Sequence, residues 1–266
     1  RINQSAGQAR VLVSPMTFEV LQTAHTLATR SQGAFDPTWA AFRGIWSFKS
    51  HHPKLPSPTS IETALTLVNY RDLELRQPTR SAFLKKKGME LGLGGIAKGY
   101  GIDQAAKVLK QRNYDQFMID GGGDILVGAS FNEHSPLRIG ITHPRISKRI
   151  FATVTAQNEA VVTSGDYEHY FEIDGQRYHH IIDVRTGYPA SKAVSVTVVS
   201  PSAMIADALA TALFVLGPSK FSELLAHYPK TKALMLAADG AVYGFPQKFA
   251  DTFPKRWRPD ASPGTQ

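Results

Sequence analysis

Residues 201–216, PSAMIADALATALFVL, restrict the fold of this chain more than any other stretch. Nearly every position is apolar or small: Met204, Ile205, Ala206, Ala208, Leu209, Ala210, Ala212, Leu213, Phe214, Val215 and Leu216. A helix that is apolar all round belongs in an interior. Ser200-Pro201 predicts its start, a capping hydroxyl followed by proline at the first helical position. Gly217-Pro218 predicts its end. Asp207 and Thr211 interrupt the apolar surface, four residues apart and therefore on one face. A buried carboxylate is costly unless it is paired or binds a cation. An arginine or backbone amides would satisfy it. The favoured reading is a hard oxygen site for Mg²⁺ or Ca²⁺, with carboxylate and hydroxyl as two ligands.

The residues before this helix add chemistry. His179 and His180 lie on a short apolar run that ends at Asp183, followed by a Thr-Gly-Tyr-Pro turn at 186–189 and a β-rich run at 194–199. An imidazole can move a proton near neutral pH.

Composition narrows the alternatives. The chain has 266 residues and no cysteine, which excludes disulfides, thiolate catalysis and cysteine-ligated zinc. A net charge of +8 suits an anionic ligand, an acidic partner or a membrane surface. The basic residues are scattered except at Lys85-Lys86-Lys87, read as a solvated loop, and they do not alternate with aromatics. Nucleic-acid binding is therefore set aside. No apolar run approaches the roughly 18 residues of a membrane span, and the first residues do not form a signal peptide. The opening Arg1-Ile2-Asn3-Gln4 reads as the middle of a fold, so the expectation is a processed or truncated N-terminus.

Along the chain, 11–13 reads as a strand end and 17–30 as a helix with Phe18, Leu21, Ala24 and Leu27 on one face. Gly33-Ala34-Phe35-Asp36-Pro37-Thr38-Trp39 follows, an Asp-Pro turn between aromatics that would make a wall for a flat ligand. A loop at 51–60, a helix at 61–68 and strands at 72–75 and 82–84 come next. In Glu90–Arg112, glycines 92, 94 and 95 feed a helix that carries Lys98 in its first turns. Free amides and the helix dipole make such a turn an anion site, and a lysine there is disfavoured unless an anion offsets it. A phosphate or pyrophosphate would do so; a simple tight turn is the equal alternative. The spacing matches neither a P-loop nor a dinucleotide fingerprint.

Strands are expected at 117–119 and 125–127 around Gly121-Gly122-Gly123, then at 137–142, 151–155 and 160–163. A hairpin is expected from 170–173 and 178–182 around Asp174-Gly175. A helix at 219–226 and strands at 233–237 and 242–245 complete the expected elements. One domain over 1–259 and a frayed tail at 260–266 are expected.

Four motifs stand in one order: GAFDPTW, LGGIAKGYGID, VTSGDYEHYFEIDG with YHHIIDVRTGYP, and VVSPSAMIADALATALFVLG. Together they resemble the FAD:protein FMN transferases, the ApbE-type family. The resemblance implies an α/β (α+β), two-lobed fold with mixed or antiparallel sheets flanked by helices and a flavin cleft between lobes. It implies a Mg²⁺-dependent enzyme that cleaves FAD, attaches FMN through a phosphoester to a Thr or Ser of an acceptor protein, and releases AMP. An FAD pyrophosphatase and a non-catalytic flavin-binding protein are the alternatives. The resemblance matches Asp207, Thr211 and the Gly95 carbonyl to metal ligands, and Lys98 to a residue near the pyrophosphate. It matches Ala34, Phe35, Asp36, Gly92 and Ile181 to flavin-nucleotide contacts, and His180 to the base toward the acceptor hydroxyl. His179 is read as structural or exposed. An extracytoplasmic, periplasmic setting is implied, with a lipid anchor to the inner membrane on a preceding segment. The family usually has Asp where this chain has Gly92 and Pro where it has Val184, and its N-terminal strand and Met-Gly-Thr segment are not found here.

Overall fold

The computed structural model describes residues 1–48, 53–130, 136–146 and 148–244. The expected tail at 260–266, Phe245 and the first two residues of the 51–60 loop lie outside them. From the start come β1 (Val11–Leu12), α1 (Pro15–Arg30), α2 (Pro58–Leu65), β2 (Leu73–Arg76), β3 (Ser81–Leu84) and α3 (Ala97–Gln111). The strands β4 (Met118–Asp120), β5 (Ile125–Val127), β6 (Leu137–Thr142), β7 (Ile150–Ala156) and β8 (Glu159–Gly165) follow. Then come β9 (Tyr170–Ile173), β10 (Gln176–His179), β11 (Ile182–Asp183), β12 (Tyr188–Pro189) and β13 (Ala193–Ser200). The last described elements are α4 (Ala203–Leu216), α5 (Phe221–Leu225), β14 (Lys232–Ala237) and β15 (Val242–Gly244). The expected mixture of helices and antiparallel sheets is what forms.

Two compact units divide the chain: Arg1–Ala97 with Glu168–Ala190, and Lys98–Tyr167 with the residues from Ser191 onward. In the first, α1 is capped by Ser14, whose side chain accepts from the Thr17 N–H, with Pro15 in the first turn. Leu21 of α1 packs with Leu73, Ala82, Leu84 and Met89 around the sheet β1-β3-β2. A second apolar cluster gathers Phe42, Trp46 and Ile61 with Phe171, Ile182 and Val184. Val184, where proline is usual, is a core residue.

The second unit is built on the antiparallel sheet β15-β14-β13-β8-β5-β4. The central strand β13 is buried at all eight positions. The reason is that both faces are covered: α4 packs on β8 and β13, and the β6-β7 pair buries Ile139, Ile141 and Val154 against Val127, Val161 and Val199. A strand covered on both faces buries even its polar positions, as Ser195 and Thr197 show, Thr197 sharing a hydrogen bond with the Thr163 hydroxyl at 2.8 Å. Twelve of the residues of α4 are buried, Asp207 among them, as its composition requires.

Several local expectations are corrected. The helix expected at 61–68 runs over Pro58–Leu65, where the Ser57 side chain caps it by accepting from the Ser60 N–H. Ser200 does not cap α4; it ends β13, and Ser202 caps the helix by accepting from the Ile205 N–H. The 170–182 hairpin is shorter than expected, with β10 ending at His179. Ile182 and Asp183 pair instead with Pro189 and Tyr188, because the Gly187 N–H returns to the Asp183 carbonyl and closes a separate turn.

Candidate functional site

In the second unit the start of α3 and the start of α4 are drawn together. Asp103 on α3 accepts from the Ser202 hydroxyl at 2.7 Å and from the Ala203 and Met204 N–H groups at 2.8 and 3.0 Å. A carboxylate on these orphan amides is a helix cap supplied from 100 residues away. Gly99 allows the approach, since a Cβ there would collide with the Ala203 carbonyl.

This juxtaposition places Asp207 beside α3. Its Oδ2 accepts from the Gly99 N–H at 3.1 Å. Burial pushes its pKa up to about 7; the Gly99 hydrogen bond and Lys98 act against the rise, and the Asp124 carboxylate adds to it. Asp124, 2% exposed at the start of β5, pairs with Lys98 Nζ at 3.0 Å. The anion paired with Lys98 is therefore a side chain of the protein itself, where the sequence pointed to a phosphate or pyrophosphate. The lysine side chain stays 46% exposed. One turn along α4, Thr211 Oγ1 lies 3.5 Å from Ser164 Oγ of β8.

Among the described residues no group of three or more His, Cys, Asp or Glu side chains is arranged to hold a metal. The donors here are two electrostatically coupled carboxylates and two hydroxyls. They are hard oxygen ligands, the chemical type that Mg²⁺ or Ca²⁺ takes. One amide leaves Asp207 with its pKa near neutrality, which is the condition a bound cation relieves.

The first unit holds the other matched residues. Ala34, Phe35 and Asp36 are all buried, so Phe35 is a core residue. Asp36 Oδ1 accepts from the Thr38 N–H and hydroxyl at 2.8 and 2.6 Å, and Oδ2 from the Tyr70 N–H at 2.8 Å. Burial raises its pKa, and these hydrogen bonds and nearby His25 oppose the rise. The Trp39 indole N–H donates to the Gly92 carbonyl at 2.9 Å. A Cβ at Gly92 would lie 2.6 Å from Trp39 Nε1, so the indole occupies the space that the family's usual aspartate would need. Gly95 lies in the turn that leads into α3.

His179 and His180 separate cleanly. His179 is 4% exposed; its Nδ1 accepts from the Ile181 N–H at 3.3 Å, which leaves Nε2 to donate to the Ala190 carbonyl at 2.8 Å. That neutral ring, bonded at both nitrogens, is structural. His180 is exposed, and Ile181 beside it is buried. The second unit thus gathers Lys98, Asp207 and Thr211; Ala34, Phe35, Asp36, Gly92, Gly95, His180 and Ile181 belong to the first. Sequence reasoning missed Asp103, Asp124 and Ser164. Asp124 carried a weak signal, an acidic residue closing a glycine run ahead of an apolar strand.

The chain belongs to the ApbE family, whose model matches residues 1–235. It is 36% identical over 256 residues to the FAD:protein FMN transferase of Treponema pallidum, covering 91% of this chain and 71% of that protein. To the Haemophilus influenzae protein of the same name it is 33% identical, covering 96% and 75%. The ApbE protein of Thermotoga maritima matches in structure with a TM-score of 0.83 at 32% identity, over 96% of this chain and 82% of that one. The flavin transferase ApbE from Vibrio cholerae matches at 0.81 and 28%, over 94% and 80%.

Proposed function

We propose that this protein is an FAD:protein FMN transferase that joins FMN to a Thr or Ser hydroxyl of an acceptor protein. The supporting observation is the Lys98–Asp124–Asp207 cluster with Thr211 alongside, in a chain similar over most of its length to proteins of that name. Asp207 and Thr211 would hold Mg²⁺, which supplies charge neutralisation on the phosphates when bound. Lys98 binds phosphate oxygens through its exposed ammonium, and Asp124 holds that ammonium in place. His180 accepts the proton of the acceptor hydroxyl. The hydroxyl oxygen forms a bond to the FMN phosphorus, and the phosphorus–oxygen bond to AMP breaks, with AMP leaving as the phosphate anion. No enzyme nucleophile takes part. Asp103 and Gly99 keep the two helix starts in register so that Asp207 and Lys98 stay adjacent.

We assign the activity to 1–259 as one functional domain, in an extracytoplasmic, lipid-anchored protein, the setting the family resemblance suggests. Incubation with FAD and Mg²⁺, with and without an acceptor fragment, tests the reaction type by chromatography of the products. AMP released in step with acceptor consumption is expected. AMP and free FMN at an equal rate without acceptor would make the protein a pyrophosphatase instead.

A further inference from the structure

We infer that His169 is a positioning residue for the base His180, a role that rests on the transferase reading above. The connection between β9 and β10 is two residues long, Asp174 and Gly175, with φ of 51° and 76°. Both values are positive, as a type I′ turn requires. That turn sets the register: Ile173 faces Gln176, Phe171 faces Tyr178 and Tyr170 faces His179. One step beyond the last pair, His169 comes opposite His180, and the His180 N–H donates to the His169 carbonyl at 3.0 Å.

Directly opposed residues of an antiparallel pair project from the same face. The two imidazoles meet there edge to face, centroids 5.3 Å apart and planes at 74°, inside the range for a favourable ring pair. The next pair inward on that face, Phe171 and Tyr178, stacks at 5.4 Å, and Trp46 stacks on Tyr178 at 5.9 Å. The histidine pair is the exposed end of this aromatic row. Alternation turns His179 to the opposite face, where its two hydrogen bonds fix the backbone beside His180. The backbone of the base is thus set by His179 and the ladder, and its ring by His169. A proton acceptor works only when held close to the productive orientation, and a small misplacement is expensive. His169 acts through that ring and contacts no reacting atom in this role.

The test is a double-mutant cycle read as kcat and FAD KM for FMN transfer to a threonine-bearing acceptor fragment. His169→Ala is expected to lower kcat by roughly 3- to 10-fold, the worth of one aromatic pair, with KM for FAD unchanged. His169→Phe keeps a ring at the position and should recover most of the loss. In a His180→Ala background, His169→Ala should cost nothing more, because residues acting as a unit are not additive. Unchanged kcat in His169→Ala, an equal loss in His169→Phe, or the same fractional loss on top of His180→Ala would each overturn the inference. Full transfer by His180→Ala alone would instead overturn the assignment of the base. Melting temperatures of all variants identify any loss that comes from folding, and His169→Phe then carries the decision.

Discussion

Asp36 and Asp207 are carboxylates with the same 6% exposure, one in the turn after α1 and the other inside α4. Burial raises the pKa of both. Asp36 receives three hydrogen bonds from Thr38 and Tyr70, so its lone pairs are spent on holding a loop. Asp207 receives one, from Gly99, and has a second carboxylate as its neighbour. Equal burial with unequal satisfaction distinguishes the two acids, and under the proposed function Asp207 is the one that would bind a cation. Asp103, with three donors from the start of α4, belongs with Asp36.

The contrast is broken most directly by truncating each acid. Asp207→Ala should reduce Mg²⁺-dependent transfer by at least about 10²-fold, while thermal unfolding shows no loss of stability, because a poorly satisfied buried acid has been removed. A destabilised but active variant would reverse the roles of the two acids. Asp36→Ala should lower stability by about 2–4 kcal/mol, since buried donors at Thr38 and Tyr70 lose their acceptor. Denaturant unfolding measures this, and an unchanged midpoint would mean that the turn is held by something else.

Gly92→Asp comes next. The new side chain must displace Trp39, at a cost of about 1–3 kcal/mol. Trp39→Ala in the same chain should remove most of that increment, although it carries its own loss of packing; additive effects would contradict the steric account.

The smallest expected effect is on pH dependence. Asp36 binds its proton more tightly folded than unfolded, so its contribution to stability is greatest below the ordinary value of 3.8 and declines as pH rises toward its elevated folded pKa. His25 has the opposite sign: burial lowers its pKa, so stability rises with pH up to its ordinary value of 6.5. Asp36→Asn should shrink the declining limb, which the raised pKa of Asp207 shares, and His25→Phe the rising one, which His143 shares, both visible in melting temperature between pH 4 and 7.

Much of this was legible along the chain because the signals are local. An all-apolar helix with two polar residues four apart could only be interior, and Asp174-Gly175 marked the turn of a hairpin, although its second strand starts two residues and ends three residues earlier than expected. What escaped was long-range. Ser200-Pro201 satisfies every local rule for a cap, yet Ser202 caps α4 because Asp103, far away in sequence, binds it and the first free amides. Lys98 pointed to a phosphate, whereas its partner in the structure is Asp124, which could not be named because nothing local says which strand end lies next to α3. Trp39 and Gly92 each stand out alone for a different reason; their steric exclusion exists only once the turn and the loop meet.

The most direct measurement of the central claim is the mass of the acceptor. The protein is incubated with FAD, Mg²⁺ and an acceptor fragment carrying the target threonine, beside the same fragment with that threonine changed to valine. The account predicts that the threonine fragment gains the mass of FMN less water while AMP appears, and that the valine fragment gains nothing. No adduct on the threonine fragment, with FAD either intact or split into free FMN and AMP, would contradict it.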